Sequence, residues 1–457
     1  METIQQRFEQ LGLFLPEILL PRKGIDLTKW AVIACDQFTQ DKEYWEKVKN
    51  TVGGEPSALN LILPEVYLAG GDDERRIADI HRTMERYLAE GVFSQTARGC
   101  VYLERDTPFN RGRRGLVIAV DLEEYDWARD ARRLVRCTEG TVAERLPPRM
   151  NIRRGAALES THVLLLIDDK QDKLLPALAE RAKKKPPIYQ CPLMMESGQV
   201  NGWLVDGDAD LNFLALELEK LAGQAITRCT DNESVVIAFE KDLFLFAVGD
   251  GNHSLATAKE IWEEYKRNHS AGTNGNDPNA LPDHPCRYAL VEIENIYDPA
   301  IQFEPIHRVV FGASEEKLLK AMSVMGGFES RRVNGLDELI ALVKEKSGKK
   351  TRYGLVKGES CTLVETSEAG IATKPLEPVL DNLVRDETSL SIDYIHGEDE
   401  CLRITQENSQ AIAVLLPPIK KEDLFTTVCH NGPLPRKSFS MGNAEEKRFY
   451  LECRKLF

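Results

Sequence analysis

The sequence predicts an α/β fold of the mixed α+β kind, with mixed β-sheets flanked by helices. Three observations carry the prediction: at least six short apolar runs have strand length, longer stretches place apolar residues every three or four positions, and the two kinds of segment alternate. With 457 residues, 42% of them apolar, and 31 glycines, the chain can bury a sizeable core. A length prior of about 150 residues per domain gives two large domains or three ordinary ones.

Taken in order, Trp30 to Ala34 reads as a strand, and Asp41 to Lys49, with Tyr44, Trp45 and Val48 on one face, reads as the helix after it. Asp72 to Glu90 is a long charged helix with Ile77, Ile80, Met84, Tyr87 and Leu88 as its apolar stripe, stopped at Gly91. Strands follow at Gly99 to Glu104, Gly115 to Asp121 and Thr161 to Ile167. Leu243 to Val248 is another, running into a helix from Ser254 to Arg267; Arg287 to Ile293 and Gln410 to Leu416 complete the set. His269 to Pro285 is rich in Gly, Asn, Asp and Pro, a composition that fits two readings equally: sub-regions 1–268 and 286–457 joined by loop 269–285, or a long surface insertion within one domain.

Charge narrows the function classes. Lys plus Arg number 59 against 73 Asp plus Glu, a formal charge of -14 that repels phosphate backbones and disfavours a nucleic-acid partner. The longest apolar run, Ala411 to Ile419, contains two prolines and is far shorter than the ~20 residues of a membrane span. The N-terminus lacks a basic region followed by an apolar one, so a cytoplasmic protein is expected. Ten scattered cysteines form no C-x-x-C pair, which argues against zinc ribbons and disulfide scaffolds and for buried thiols.

The sharpest local signal is Leu243 to Lys259, LFLFAVGDGNHSLATAK. An apolar strand enters Gly249, Asp250, Gly251, Asn252 and His253, and a helix follows. The glycines allow a tight turn or close approach to a ligand, and the helix N-terminus offers N–H groups and a positive dipole end to an anion. Asp250 suits a metal ligand or proton acceptor, and His253 a phosphoryl contact or an acid–base group. The bland reading is an Asp-Gly turn with Ser254 as the helix cap.

Trp30 to Trp45 places Asp36 and Thr39 between a strand and a helix, at the edge where α/β ligand sites gather; Thr39 as a plain N-cap competes. Nothing adjacent in sequence activates Cys35, so burial is expected for it. Asn151 to Asp169 ends in a Walker B-like VLLLIDD, yet no G-x-x-x-x-G-K-[ST] accompanies it, and Gly348-Lys349 lacks the partner glycine. Asp168 and Asp169 then read as a strand-ending turn, while Arg153, Arg154, Glu159 and His162 are candidates for a polar cleft. The segment Asn431 to Arg448 presents Arg436, Lys437 and Ser438 after two prolines, a phosphate-binding combination or a solvated basic turn. His307 and Arg308 lead into an apolar strand and alone read as structural. No G-x-G-x-x-G, H-E-x-x-H or G-x-S-x-G is present.

The ordered set WAVIACDQFT, ESTHVLLLIDD, VGDGNHSLATAK, EPIHRVV, LSIDYIHG and LPRKSFSMG resembles the domain of unknown function 1015 family over nearly the whole chain, which implies one family-wide unit, 1–457. The commoner family turn is similar to D-G-H-H-R; here Asp250-Gly251-Asn252-His253-Ser254 lacks the first histidine and the arginine. The family's P-K-S-T is matched by Arg436-Lys437-Ser438-Phe439, with the threonine replaced. The turn also resembles that of ParB/sulfiredoxin-like free serine kinases, implying a ParB/sulfiredoxin-like element around Asp-Gly-Asn-His.

What the resemblance implies is phosphorylation of free L-serine to O-phospho-L-serine with ATP, ADP or pyrophosphate as donor; the need of phosphoryl transfer for a metal adds Mg2+ as the inferred cofactor. In that scheme Asp36 and Asp250 are catalytic with His253, and Asp250 is the metal ligand. Thr39, Gly249, Gly251, Asn252, Ser254, His307, Arg308, Arg436, Lys437 and Ser438 bind substrate or phosphate. The partner is a small molecule, with no nucleic acid and no membrane, and a homo-oligomer is left open. Two alternatives stand beside this one: a non-catalytic regulatory protein binding a nucleotide or phosphometabolite, and a metal-dependent phosphate-ester hydrolase.

Overall fold

A computed structural model describes residues 2–68, 70–228, 243–270, 284–345, 348, 350–367 and 370–457. Cys229, Lys349 and residues 271–283 of the expected loop lie outside the described residues. The chain divides into two compact units, Met1–Ile301 with Asn443–Phe457, and Gln302–Gly442. The second is thus inserted in the sequence of the first, with its boundaries after Ile301 and Gly442 and not at 269–285.

The first unit is built on a mixed sheet in the order Tyr189–Pro192, Gln199–Val205, Cys100–Asp106, Arg113–Asp121, Tyr288–Asn295, Leu164–Ile167, Phe246–Asp250, Val135–Cys137 and Tyr125–Asp126. Its middle is apolar for a simple reason. Leu164–Ile167 is buried at every residue, lies parallel to Tyr288–Asn295 and antiparallel to Phe246–Asp250, and has the unbroken apolar run expected of a strand covered on both faces. The α/β expectation is met, and strands stand at each of the six predicted runs from Gly99 onward.

Registers matter for the glycine turn. Leu164 pairs with Asp250 and Leu165 with Val248, so Gly249 is an extra residue, a bulge that re-aims the strand end. Helix Asn252–Ser270 then begins two residues earlier than the pattern indicates, which puts Ser254 inside its first turn and not at the cap.

The N-terminal strand expectation needs correction. Residues Leu27–Trp30 form a helical turn capped by Asp26, and only Val32–Ile33 is a strand, paired with Phe449–Tyr450. Helix Lys42–Val52 is capped by Asp41, whose side chain accepts from Tyr44 N at 2.9 Å, so Thr39 is not the cap. A four-stranded sheet joins Phe93–Arg98, Glu17–Pro21, Cys453–Lys455 and Leu158–Ser160. The segment Asn443–Phe457 therefore completes sheets begun some 400 residues earlier.

Charges are buried inside this unit, and they are paired. Strand Tyr288–Asn295 carries Glu292 and Glu294 two residues apart, hence on one face, and both are fully buried. Arg105 Nη2 reaches Glu294 at 3.0 Å, Arg113 Nη2 at 2.5 Å, and Arg448 Nε lies 3.1 Å from Glu292. Gly115 makes room for this network: a Cβ there would lie 2.1 Å from Glu292 Oε1.

The second unit has its own sheet, in the order Glu329–Arg332, Ser360–Thr366, Thr351–Lys357, Ala411–Leu415, Phe303–Phe311 and Ser391–His396, with Phe439–Met441 also on Phe303–Phe311. Helices Glu315–Met322 and Thr373–Asp386 supply Leu318, Met322, Leu376 and Leu380 to one of its apolar clusters. No helix among the described residues is long and apolar enough to cross a membrane. Seven described cysteines are buried free thiols and Cys35 is half-buried.

Candidate functional site

Strand Phe246–Asp250 delivers Asp250 to the N-terminal end of helix Asn252–Ser270 through Gly251, whose φ of +81° is open to glycine at little cost. Space reinforces that choice, since a Cβ on Gly251 would sit 3.1 Å from Val163 Cα. Asp250 Oδ1 accepts from Gly251 N at 2.9 Å, and Oδ2 lies 3.1 Å from Lys447 Nζ. Burial opposes ionisation of this carboxyl, but Lys447, His162 and the Gly251 N–H outweigh it and hold it below the usual carboxylate range.

Asp36 follows the short strand Val32–Ile33 and reaches the same neighbourhood. Its Oδ2 is 3.9 Å from His162 Nε2, and that nitrogen is 2.9 Å from Ser254 Oγ. His162 Nδ1 is 2.7 Å from the Tyr450 hydroxyl, which also donates to Cys35 Sγ at 3.1 Å. Tyr450 has a single proton. Spent on the sulfur, it leaves the tyrosine oxygen to accept from His162 Nδ1–H, and Nε2 of the neutral ring then accepts from the Ser254 hydroxyl. Protonated, the ring donates from both sides. Cys35 itself is inert as a thiolate, because burial and Asp36 push its thiol up to about 12.

His253 stands differently. Burial, with Arg149 and Arg145 nearby, pushes its pKa down to about 4, and its Nε2 accepts from Val142 N at 3.2 Å. It is a neutral group that ties the helix start to the 142 loop. Thr39 is exposed in the turn after Asp36. Asn252 opens the helix, and its Oδ1 is a buried acceptor without a hydrogen-bond partner.

A cavity of about 160 Å³ opens beside His162, Ser254 and Tyr450. Its walls are largely apolar, with Leu61, Leu63, Leu68, Met84 and Ile152 among them. Two ion pairs interrupt the apolar lining: Glu65 with Arg149, and Glu159 with Arg153 at 2.5 Å. Of the four cleft candidates from Asn151 to Asp169, Arg153, Glu159 and His162 line this cavity, while Arg154 pairs outside it with Glu264 at 2.7 Å. Asp169 caps helix Leu174–Ala182 by accepting from Lys173 N and Leu174 N, and Tyr297 donates to Asp168, so both serve the strand-ending turn.

The donor set at Asp250 does not suit a cation held by protein side chains. Lys447 stands beside that carboxylate, and among the described residues no group of three His, Cys, Asp or Glu side chains gathers to hold a metal ion.

The remaining candidates lie in the second unit. Arg308 is fully buried; its guanidinium bonds to Glu377 and to the Ile306 carbonyl, and Nη1 donates to Lys437 O at 3.0 Å. The Tyr394 ring has Arg308 at 4.8 Å, Arg436 at 5.5 Å and Lys437 at 5.9 Å from its centroid. Arg436 is exposed, with Asp381 at 4.0 Å. Ser438 Oγ donates to Pro435 O at 2.6 Å and lies 2.8 Å from Thr373 Oγ1. His307 Nδ1 accepts from Leu416 N at 3.1 Å.

Sequence reasoning therefore gathers Asp36, Asp250, His253, Ser254 and the glycines into one neighbourhood, and it misses Lys447, Tyr450, Glu65 and Arg149. Lys447 had a local signal, a basic pair with Arg448 in the C-terminal segment already suspected of anion binding. The model of the family described as Protein of unknown function (DUF1015) matches residues 19–383. The chain belongs to this family. Four of the six sequence motifs fall within that span, and LSIDYIHG and LPRKSFSMG lie beyond it.

No curated protein matches the sequence. Among solved structures the chain is similar to a free serine kinase in complex with AMP, with 11% identity, a TM-score of 0.39 and coverage of 77% of this chain and 95% of that one. A conserved hypothetical protein from Pyrococcus furiosus gives 11% identity and a TM-score of 0.35 over 75% of this chain and 97% of that one. SbnI with C-terminal truncation from Staphylococcus aureus gives 9% identity and a TM-score of 0.33 over 71% and 82%.

Proposed function

We propose that the chain is a phosphotransferase that moves a phosphoryl group from ATP, ADP or pyrophosphate to the hydroxyl of free L-serine at the glycine turn of the first unit. One observation carries the reading: a lysine and the open start of a 19-residue helix meet at Asp250, which is within electrostatic reach of His162, itself 3.9 Å from Asp36. Cationic and N–H donors stabilise the charge of a phosphoryl group in transfer, and a nearby base takes the proton of the accepting hydroxyl. The serine oxygen bonds to phosphorus, the bond from phosphorus to the leaving oxygen breaks, and the hydroxyl proton passes to Asp36 or His162. Asp250 positions Lys447, Gly249 and Gly251 give the backbone its close approach, and Asn252 offers its first-turn N–H. Ser254 orients His162, and His253 acts as a neutral support. Arg436 and Lys437 are proposed as an anion-binding element of the second unit, with Arg308 and Ser438 holding their turn, while His307 is tied to the Leu416 N–H instead.

The assay is direct. Purified protein incubated with L-serine, Mg2+ and each donor in turn yields phosphoserine, detected by mass spectrometry, with at least one donor; no product with any of the three refutes the proposal. Asp36→Asn lowers the rate by roughly 10²–10⁴-fold with the melting curve unchanged. A second reading, ligand sensing without turnover, has one observation in its favour, because Lys447 already neutralises Asp250. It expects nucleotide to raise the melting temperature while no product forms.

A further inference from the structure

One side of the cavity carries two opposite charges where most of its lining is apolar. Glu65 and Arg149 ion-pair there, with side chains only 21% and 18% exposed. Both are held in place by backbone. Glu65 opens the short turn Glu65–Tyr67 after Pro64, and its N–H donates to Cys35 O at 2.8 Å, which fixes it to the segment that carries Asp36. Arg149 projects from helix Leu146–Arg153, whose start is set by Pro147 and Pro148, and its Nη1 donates to Arg145 O at 2.8 Å. His162 and Ser254 line the same cavity.

An ion pair that faces an apolar hollow carries a desolvation cost on both charges, offset only by their mutual attraction. A ligand with one ammonium and one carboxylate a few ångströms apart can exchange with such a pair and leave no net charge behind. Its ammonium faces the Glu65 carboxylate, and its carboxylate meets the planar guanidinium of Arg149, which suits bidentate contact. A bare phosphate would match Arg149 but be repelled by Glu65, and a simple amine the reverse. A volume of about 160 Å³ accepts one small molecule of this kind.

We infer that Glu65 and Arg149 form the recognition subsite for the zwitterion of a free α-amino acid, whose side-chain end lies toward His162 and Ser254. The inference rests on the proposed transfer to free serine, and it adds which residues enforce that choice: Glu65 reads the unblocked amino group and Arg149 the unblocked carboxyl group. A seryl residue within a peptide is thereby excluded as acceptor.

The test is calorimetric titration of the full chain with L-serine, L-serinamide, which lacks the carboxylate, and N-acetyl-L-serine, which lacks the ammonium. L-Serine binds, and each blocked analogue binds about 10- to 100-fold more weakly, the range for one lost charge-assisted hydrogen bond. Glu65→Gln erases the difference between L-serine and N-acetyl-L-serine; Arg149→Met erases that between L-serine and L-serinamide. The double variant Glu65→Gln/Arg149→Met leaves no unpaired charge in the cavity, so it keeps the fold and binds all three equally weakly. Equal affinity of wild-type protein for the three compounds overturns the inference, as does no heat with L-serine. So does undiminished L-serine binding in both single variants. The two readings fail separately: binding that needs both charges without phosphoserine from any donor removes the transfer reading alone, whereas phosphorylation of the blocked analogues at the wild-type kcat/KM removes the subsite alone.

Discussion

Replacing Lys447 by methionine isolates the electrostatics of the glycine turn. The lysine side chain is 10% exposed and that of Asp250 24%, with 3.1 Å between nitrogen and oxygen. Breaking a fully buried pair costs about 3–5 kcal/mol because the partner is left uncompensated. Here Asp250 keeps the Gly251 N–H and some contact with water, which screens the loss to roughly 2–3 kcal/mol. The pH dependence gives the sign. In the wild-type protein the Asp250 carboxyl is held below its ordinary value, so its contribution to stability is present above the unfolded pKa, near 4, and is lost as pH falls through the folded one. Without Lys447 the burial of the carboxyl dominates and raises its pKa, so the variant takes up a proton earlier than its unfolded chain does. The deficit is then largest at neutral pH and shrinks on acidification, by at most about 1.4 kcal/mol per pH unit. All five tryptophans, at 30, 45, 127, 203 and 262, belong to the first unit, so urea denaturation followed by their fluorescence at pH 7.5 and pH 5.0 reads the right part of the chain. A deficit below about 0.5 kcal/mol, or one equal at both pH values, would falsify the assignment of Lys447 as the counter-charge of Asp250.

His253, with its pKa pushed down to about 4 from 6.5, refuses a proton that the unfolded chain accepts, so stability declines as pH falls across that window; His253→Gln flattens the decline, measured by the same fluorescence at pH 7 and pH 5, and an unchanged slope counts against the buried neutral ring. Gly251→Ala destabilises the first unit by roughly 1–2 kcal/mol for the left-handed backbone alone, read as a shift of the urea midpoint, and a neutral effect would contradict the φ of +81°. Arg308→Met leaves Glu377 buried without its counter-charge and costs about 3–5 kcal/mol in the second unit, seen as faster amide exchange across Phe303–Phe311; Arg308→Met/Glu377→Met recovers most of it.

The strands were legible because their apolar runs are buried outright, as in Leu164–Ile167 and Ala411–Leu415, where tertiary context only reinforces local preference. Trp30 to Ala34 was misread for the opposite reason. Its apolar residues are buried, but Asp26 caps a helical turn through Trp30 and leaves two residues to pair. The glycine turn was legible because strand, Gly-Asp-Gly and helix are contiguous. Lys447 and Tyr450 were not, since they reach Asp250 and His162 from about 200 and 290 residues away, a proximity no local pattern encodes. Glu65 and Arg149 look in sequence like any solvated charges, and only the apolar walls around them set them apart. Arg308 gave no hint that its charge is consumed internally by Glu377.

The insertion of residues 302–442 between the parts of the first unit bears on how the molecule is made. Synthesis proceeds from the N-terminus, and domains fold as they emerge. Strands Phe93–Arg98, Glu17–Pro21 and Leu158–Ser160 leave the ribosome long before Cys453–Lys455, which must join the last of them to the rest. The second unit is complete in sequence before that happens. The nascent first unit therefore waits with an open sheet edge and with Arg105, Glu292 and Glu294 lacking Arg448, a period in which unpaired strands invite wrong partners and chaperones have something to hold. The neighbourhood that brings Lys447 to Asp250 and Tyr450 to His162 does not exist until that wait is over, so any chemistry proposed for it is absent from half-made chains.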